Sequence, residues 1–162
     1  MSDFFNKTFE KLKFQNLNIK KKDPNRPWGG FFDIDEDDFK RFIDFYFSGL
    51  NTDTLRISGK LSLKILVIAS NKRLSWQYHH RRSEIWKVAS GEIKVVTSKD
   101  DVERNEVLLK EGDKINISQG ERHRIIGTDN HAIVAEIWIH IDKDNPSDED
   151  DIVRVQDDFN RK

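Results

Sequence analysis

Hydrophobic and polar residues alternate through most of the chain after residue 60. The stretch "LSLKILVIA", residues 61–69, is the clearest case, with Leu61, Leu63 and Ile65 on one face of a predicted strand. Further segments with strand patterning follow, separated by turns that contain Gly, Asn or Asp: 74–79, 84–90, 92–98, 106–110, 113–118, 123–127 and 131–141. About eight short strands at this spacing predict an all-β sandwich or barrel.

Two helical patterns precede the predicted strands. The first runs roughly from Asn6 to Asn16 and continues an apolar spacing set by Phe5, Phe9 and Leu12. These residues predict an amphipathic helix.

The second helical pattern begins at Asp35, a good N-cap residue, and ends at "SG", residues 48–49. Its face is unusually aromatic: Phe39, Phe42, Ile43, Tyr46 and Phe47. Such a stripe favours docking on a sheet, and a surface for a partner is the alternative.

Proline and glycine break the pattern between the two helices. The string "DPNRPWGGFF" excludes a helix and predicts a tight loop. The chain therefore divides into an N-terminal helical extension and lead-in, residues 1–60, and a barrel with a charged C-terminal tail, residues 61–162.

Composition and charge argue against several classes of protein. The 162 residues suit one domain, and the absence of cysteine excludes disulfides and thiolate zinc sites. The near balance of 28 basic and 29 acidic residues argues against a nucleic-acid binder. No apolar run of membrane-spanning length occurs, and the first residues lack an apolar leader. We therefore expect a cytoplasmic protein without a membrane or nucleic-acid partner.

One hairpin concentrates polar chemistry between tryptophans: "LSWQYHHRRSEIW", residues 74–86. Gln77 and His79 share one face of the first strand, and Glu84 opens the next strand after a short turn. An amide oxygen, an imidazole and a carboxylate can thus converge on one wall. His123, at the start of a strand after the Gly120 turn, is the candidate for a fourth group.

These spacings resemble the two cupin motifs. Glu84 and Gly91 keep the interval of motif one. Motif two is similar to the pattern of Gly112, Gly120 and His123, although Ser118 and Gly127 stand where that motif has Pro and Asn. The resemblance implies an all-β cupin double-stranded β-helix, a jelly-roll barrel, with the N-terminal helices packed on it.

The closer resemblance is to the type II mannose-6-phosphate isomerases. It covers Arg26 to Arg161 and rests on "RPWG", Lys64, "LSWQYHHRRSEIWKVASG", Glu136 and "DDIVRVQDDFNR", in the family's order. The short chain is also similar to bacterial proteins labelled phosphoheptose isomerase. Several positions depart from the family's residues: Arg81 and Ile85 replace His, Trp138 replaces Gln, and Phe159-Asn160 replaces Tyr-Gly.

The resemblance implies a divalent metal. Its ligands would be Gln77, His79, Glu84 and His123. Zinc fits this set best, and iron, manganese, cobalt or nickel also accept such ligands.

It also implies a sugar-phosphate aldose–ketose isomerase, with mannose 6-phosphate to fructose 6-phosphate as the default reaction. Lys64 and Arg154 would act in catalysis, although Lys64 could instead face solvent. Arg82, Glu136 and Arg161 would contact substrate; alternatively Arg82 orients Glu84, and Glu136 only pairs with an arginine.

Two other functions stay open. One is a cupin that binds a sugar without catalysis, and the other is a different cupin metalloenzyme, such as an iron dioxygenase. Cupins of this size often pair through sheet edges, so we expect a homodimer.

Overall fold

Two antiparallel sheets face each other in the computed structural model, which describes residues 1–53, 55 and 60–161. The helices are α1 (Ser2–Phe14) and α2 (Phe39–Tyr46), the latter preceded by a 3-10 turn at Glu36–Asp38. The strands are β1 (Ile19–Arg26), β2 (Gly29–Ile34), β3 (Leu61–Ile68), β4 (Trp76–Tyr78), β5 (Arg82–Ser90), β6 (Glu92–Ser98), β7 (Val107–Lys110), β8 (Lys114–Ile117), β9 (Arg122–Gly127), β10 (Ala132–His140) and β11 (Val153–Gln156).

The strand order of each sheet interleaves distant parts of the chain. The larger sheet has the order β1-β2-β3-β10-β5-β8, and the smaller has the order β11-β4-β9-β6-β7. This is the predicted cupin jelly-roll architecture. All eight predicted strands are present, and both predicted helices form within a few residues of the expected bounds. None of the helices in the described ranges is long and apolar enough to cross a membrane.

Three strands are corrections to the sequence analysis. Residues 23–32, predicted to be a loop, lie largely in β1 and β2, and the tail predicted to be a charged loop contains β11. Pro24 is tolerated because β1 is at the edge of its sheet, where one side of the strand needs no partner. The division at residue 60 stays a prediction, although β1 and β2 extend the sheet that contains β3.

Successive side chains of β3 point to opposite faces of the larger sheet, and each face packs in its own apolar layer. Leu63, Ile65 and Val67 pack outward against the helices, in a cluster that includes Phe42 and Phe47. The aromatic stripe of α2 is therefore packing, as favoured above. Leu66 and Ile68 point inward, between the sheets. The helices thus seal the outer face of the larger sheet, and the inner face is left to line the barrel.

Gly29 has a role that only glycine can fill. Its φ of +145° lies in a region that side chains avoid, and an added Cβ would lie 1.9 Å from the backbone oxygen of Val67. We expect Gly29→Ala to lower the free energy of unfolding by about 2–4 kcal/mol, measured by urea denaturation, because backbone must move. Gly49 is the matched control: its φ is +84°, but nothing lies within 4 Å. Gly49→Ala should cost about 1 kcal/mol. Equal losses in the two variants would contradict the steric explanation.

Candidate metal centre

Strand register brings the predicted ligands to one end of the barrel interior. Gln77 on β4 pairs directly with His123 on β9, and Glu84 on β5 lies opposite Trp138 on β10. His79 follows β4 immediately. The smaller sheet therefore supplies both imidazoles, and the larger sheet supplies the carboxylate.

His79, Glu84 and His123 form a buried cluster whose ligand atoms all lie within 4.8 Å of one another. The Nε2 of His79 is 3.3 Å from Oε1 of Glu84, and the Nε2 of His123 is 3.6 Å from Oε2. Ligands bonded to one zinc ion at about 2.0–2.2 Å lie about 3–3.5 Å apart in a tetrahedron. The cluster therefore has nearly the dimensions that a divalent metal requires.

Hydrogen bonds set the tautomer of both histidines. The Nδ1–H of His79 donates to the carbonyl oxygen of Asp151 at 2.6 Å, and that of His123 donates to the carbonyl oxygen of Glu121 at 2.8 Å. Each Nε2 is then left with a lone pair, and the buried Nε2 of His123 has no hydrogen-bond partner among the described residues. Backbone acceptors behind a metal-binding imidazole are the usual second layer of such sites. The residues present fit a metal.

Protonation states also suit a metal. Burial lowers the pKa of His79 to about 3 and lowers that of His123, so both imidazoles are neutral. Burial opposes ionisation of Glu84, but the charge and hydrogen bond of Arg82, together with the two imidazoles, outweigh it and lower the pKa of the carboxyl group. Neutral imidazoles and an ionised carboxylate are the forms that bind divalent cations.

Gln77 lies beside this cluster and lines the adjoining cavity. Its Oε1 accepts a short hydrogen bond from Ser75. Its role as a fourth ligand stays a prediction.

Asp151 holds the ligand hairpin in place and was missed by the sequence analysis. Its carboxylate accepts hydrogen bonds from the backbone N–H groups of His80 and Arg81, both at 3.0 Å, and its carbonyl accepts from His79. The signal was present, because Asp151 belongs to the family-like tail "DDIVR".

A cavity of about 80 Å³ adjoins the cluster and is lined by all the other predicted site residues. These are Lys64, Gln77, Arg82, Glu136, Arg154 and Arg161, together with Glu84. Further lining residues were not predicted as site residues: Arg26, Trp28, Phe31, Trp138 and Glu149. Arg26 and Trp28 belong to the "RPWG" string, so this motif could have indicated both as cavity residues.

Lys64 is buried in the cavity wall and does not face solvent. Its Nζ lies 3.1 Å from Oδ1 of Asp33 and forms a short ion pair with Glu149. It also lies 4.7 Å from the ring centre of Phe31 and 4.1 Å from that of Trp138. Asp33 and Glu149 were not predicted as site residues, because no local spacing links either of them to Lys64.

Glu136 is a direct cross-strand neighbour of both Lys64 and Trp86. The indole N–H of Trp86 donates to Oε1 of Glu136 at 2.9 Å and to Oε2 of Glu84 at 3.0 Å. Burial, with the charge of Glu84, raises the pKa of Glu136. Glu136 thus lines the cavity, and the described contacts pair it with an indole.

Arginines concentrate positive charge in the lining of the cavity. Burial lowers the pKa of Arg154, and the charges of Arg161 and Arg26 add to that effect. Arg161 forms an ion pair with Asp157 at 2.6 Å, and Arg26 forms one with Asp23 at 2.9 Å. Clustered guanidinium groups of this kind suit an anionic group such as phosphate.

Comparisons with known proteins agree with this architecture. Residues 46–157 match the family model described as mannose-6-phosphate isomerase C-terminal. A search of curated proteins found no match. Among solved structures, vicilin from Corylus avellana (hazelnut) is similar with a TM-score of 0.55 and 15% identity, over 79% of this chain and 34% of that chain.

Two further structures show weaker likeness. Oxalate oxidase in complex with glycolate has a TM-score of 0.47 and 22% identity, over 59% of this chain and 46% of that chain. A cupin 2 conserved barrel domain protein from Salinispora arenicola has a TM-score of 0.43 and 20% identity, over 56% and 70%. The chain spans less than half of the vicilin and oxalate oxidase chains, so these likenesses concern the fold.

Proposed function

The chain belongs to the mannose-6-phosphate isomerase C-terminal family of cupins, and from this premise we propose that it is a metal-dependent sugar-phosphate aldose–ketose isomerase. Mannose 6-phosphate to fructose 6-phosphate is the default reaction. The observation that carries the proposal is the buried cluster of His79, Glu84 and His123 beside a cavity lined by cations.

Isomerisation moves a proton between C1 and C2 of the sugar through an enediolate. A divalent metal held by His79, Glu84 and His123, with Gln77 as fourth ligand, would supply the Lewis acid that polarises the substrate carbonyl. Zinc is the first candidate, and iron, manganese, cobalt and nickel are the alternatives.

The cavity residues would carry out the remaining steps. The ammonium group of Lys64, which lines the cavity, would pair with the enediolate oxygen or transfer a proton. Arg154 would hold the phosphate with help from Arg161. Glu136, on the strand next to Lys64, would contact the sugar.

A hexose phosphate needs more room than about 80 Å³, because ligand pockets usually enclose about 300 Å³ or more. Glu149 lines the cavity, its carboxylate pairs with Lys64, and half of its side chain is exposed. An anionic substrate can take over the contact with Lys64 as Glu149 moves away. The proposed function therefore includes displacement of Glu149 on binding.

The test begins with a thermal-shift panel of sugar phosphates and continues with an isomerase assay on each ligand that stabilises the protein. We expect turnover to fall at least about 100-fold after metal removal by a chelator and to return with zinc or manganese, since Lewis-acid stabilisation amounts to several kcal/mol. Circular dichroism of the stripped protein controls for unfolding.

Other outcomes would replace the proposal. Turnover unchanged by metal removal would exclude the metal mechanism. Binding without turnover would indicate a sugar-binding cupin without catalysis. Oxygen consumption by the iron-loaded protein would indicate a dioxygenase.

A further inference from the structure

Arg82 places a buried cation directly among the metal-ligand atoms. Its Nε donates to Oε1 of Glu84 at 2.7 Å, and its Nη2 lies 3.0 Å from Nε2 of His79. The side chain is 5% exposed. The guanidinium group therefore neutralises the charge of Glu84. It also donates a hydrogen bond to Nε2 of His79, the ring nitrogen that faces the cluster.

The hydrogen bond to His79 has a consequence for metal binding. Because Nδ1 of His79 carries the proton that is donated to the carbonyl of Asp151, Nε2 has a single lone pair. That lone pair now accepts from Arg82. A metal bond at Nε2 needs the same electrons, so the two contacts cannot coexist.

We propose that the guanidinium group of Arg82 and a divalent metal are alternative occupants of the cluster, so that Arg82 must leave His79 when metal binds. This inference rests on the metal site of the proposed function. It makes Arg82 an internal cation that sets the metal affinity, in addition to any contact that it makes with substrate.

The surroundings of Arg82 show what holds it and where it can go. Its guanidinium carbon lies 3.6 Å from the ring centre of Trp138, and its Nη1 donates to Oγ of Ser147 at 2.8 Å. Longer bonds reach the carbonyl oxygens of Asp148 and Asp151, at 3.2 and 3.3 Å. Arg82 also lines the cavity, so it can withdraw toward the substrate side without crossing the core.

The ion pair between Arg82 and Glu84 also stabilises the protein when no metal is bound. A carboxylate buried as deeply as Glu84 is costly without a cationic partner. Arg82 supplies that partner in the metal-free chain, and the metal takes its place in the loaded chain. Metal binding then exchanges one cation for another, and for that reason the gain in thermal stability should be small.

The decisive measurement is zinc affinity by calorimetry in Arg82→Met, Arg82→Lys and wild-type protein. We expect Arg82→Met to bind zinc at least about 10-fold more tightly, because no donor competes for His79. Arg82→Lys keeps the charge but cannot span Glu84 and His79 with a planar fork, so it should also gain affinity. Zinc should raise the melting temperature of Arg82→Met more than that of wild type.

Arg81→Met is the matched control. Arg81 lies in the same hairpin, and its side chain contacts Asn145, Pro146 and Asp148 and lies 3.9 Å from the carboxylate of Asp151. Among the described residues, its side chain contacts none of those predicted to bind the metal. Its zinc affinity should stay within about threefold of wild type. Unchanged affinity in Arg82→Met would overturn the proposal. A gain in Arg82→Met with none in Arg82→Lys would also overturn it, because charge repulsion alone would then explain the effect.

A structure of the zinc-loaded wild type keeps the proposal testable if the variants fail to fold. The bond between Arg82 and His79 should be absent there, and its persistence beside bound zinc would refute the exchange. Failure of all proteins to bind metal would overturn the metal site and this inference together. Tighter zinc binding in both Arg82 variants, with no isomerase activity in the zinc-loaded wild type, would support the exchange and refute only the proposed function.

Discussion

His123→Ala is expected to abolish tight metal binding and to lower sugar-phosphate isomerase turnover at least about 1000-fold, close to 4 kcal/mol of transition-state stabilisation. The imidazole of His123 is buried and is held by the carbonyl of Glu121, and its Nε2, which has no hydrogen-bond partner in the described part of the chain, points at the cluster. Alanine removes one of three converging ligands. Metal content by mass spectrometry and turnover under saturating metal measure the two effects.

His80→Ala is the matched control for His123→Ala. His80 lies in the same hairpin, but its exposed ring packs edge-on against Tyr78, with ring centres 5.3 Å apart. We expect normal metal content and near-normal turnover in this variant. A His123→Ala protein that melts normally and retains stoichiometric metal would contradict the assignment of the centre.

Lys64→Met is expected to lower turnover at least about 100-fold while metal content stays unchanged. Lys64 is a buried cation of the cavity wall that lies between Asp33 and Glu136 across neighbouring strands. Methionine keeps much of the volume of the side chain but cannot stabilise an enediolate or transfer a proton. The loss should appear in kcat, because the arginines that would hold the phosphate are intact.

Lys94→Met controls for loss of a paired lysine. Lys94 also forms an ion pair, with Glu106 at 2.8 Å, but on the surface. We expect wild-type turnover and almost unchanged stability for Lys94→Met, because exposed ion pairs contribute little to stability. Lys64→Met itself should lose more stability, because Asp33 and Glu149 lose their shared cation. Wild-type turnover in Lys64→Met would remove Lys64 from the mechanism.

Much of the fold could be predicted because alternation reports which face of a strand is buried. The inward and outward sets of β3 follow from "LSLKILVI" alone, and the pairing of Gln77 with His79 on one face follows from their spacing. The strands that were missed have weak local signals. β1 is charged and contains Pro24, and β11 has only four residues, so neither shows the apolar alternation of a central strand. β2 begins with Gly29-Gly30, a pair that is typical of turns.

The partners of the site residues depend on register and on contacts between distant segments. Asp33 reaches Lys64 because β2 and β3 pair with those residues opposite each other. Glu149 reaches the same lysine from 85 positions further along the chain. No local pattern encodes such distances, because they are set by how two sheets and a long loop pack together.

The sequence by itself therefore determined the family, the barrel, the ligand hairpin and the residue types that could hold a metal, since these depend on local period and spacing. The tertiary structure alone decided that Lys64 is enclosed by two carboxylates and that Asp151 orients His79. It also decided that Arg82 occupies the lone pair that a metal needs. Whether Arg82 occupies that lone pair depends on a few tenths of an ångström in the distance between two segments, and only three-dimensional packing sets that distance.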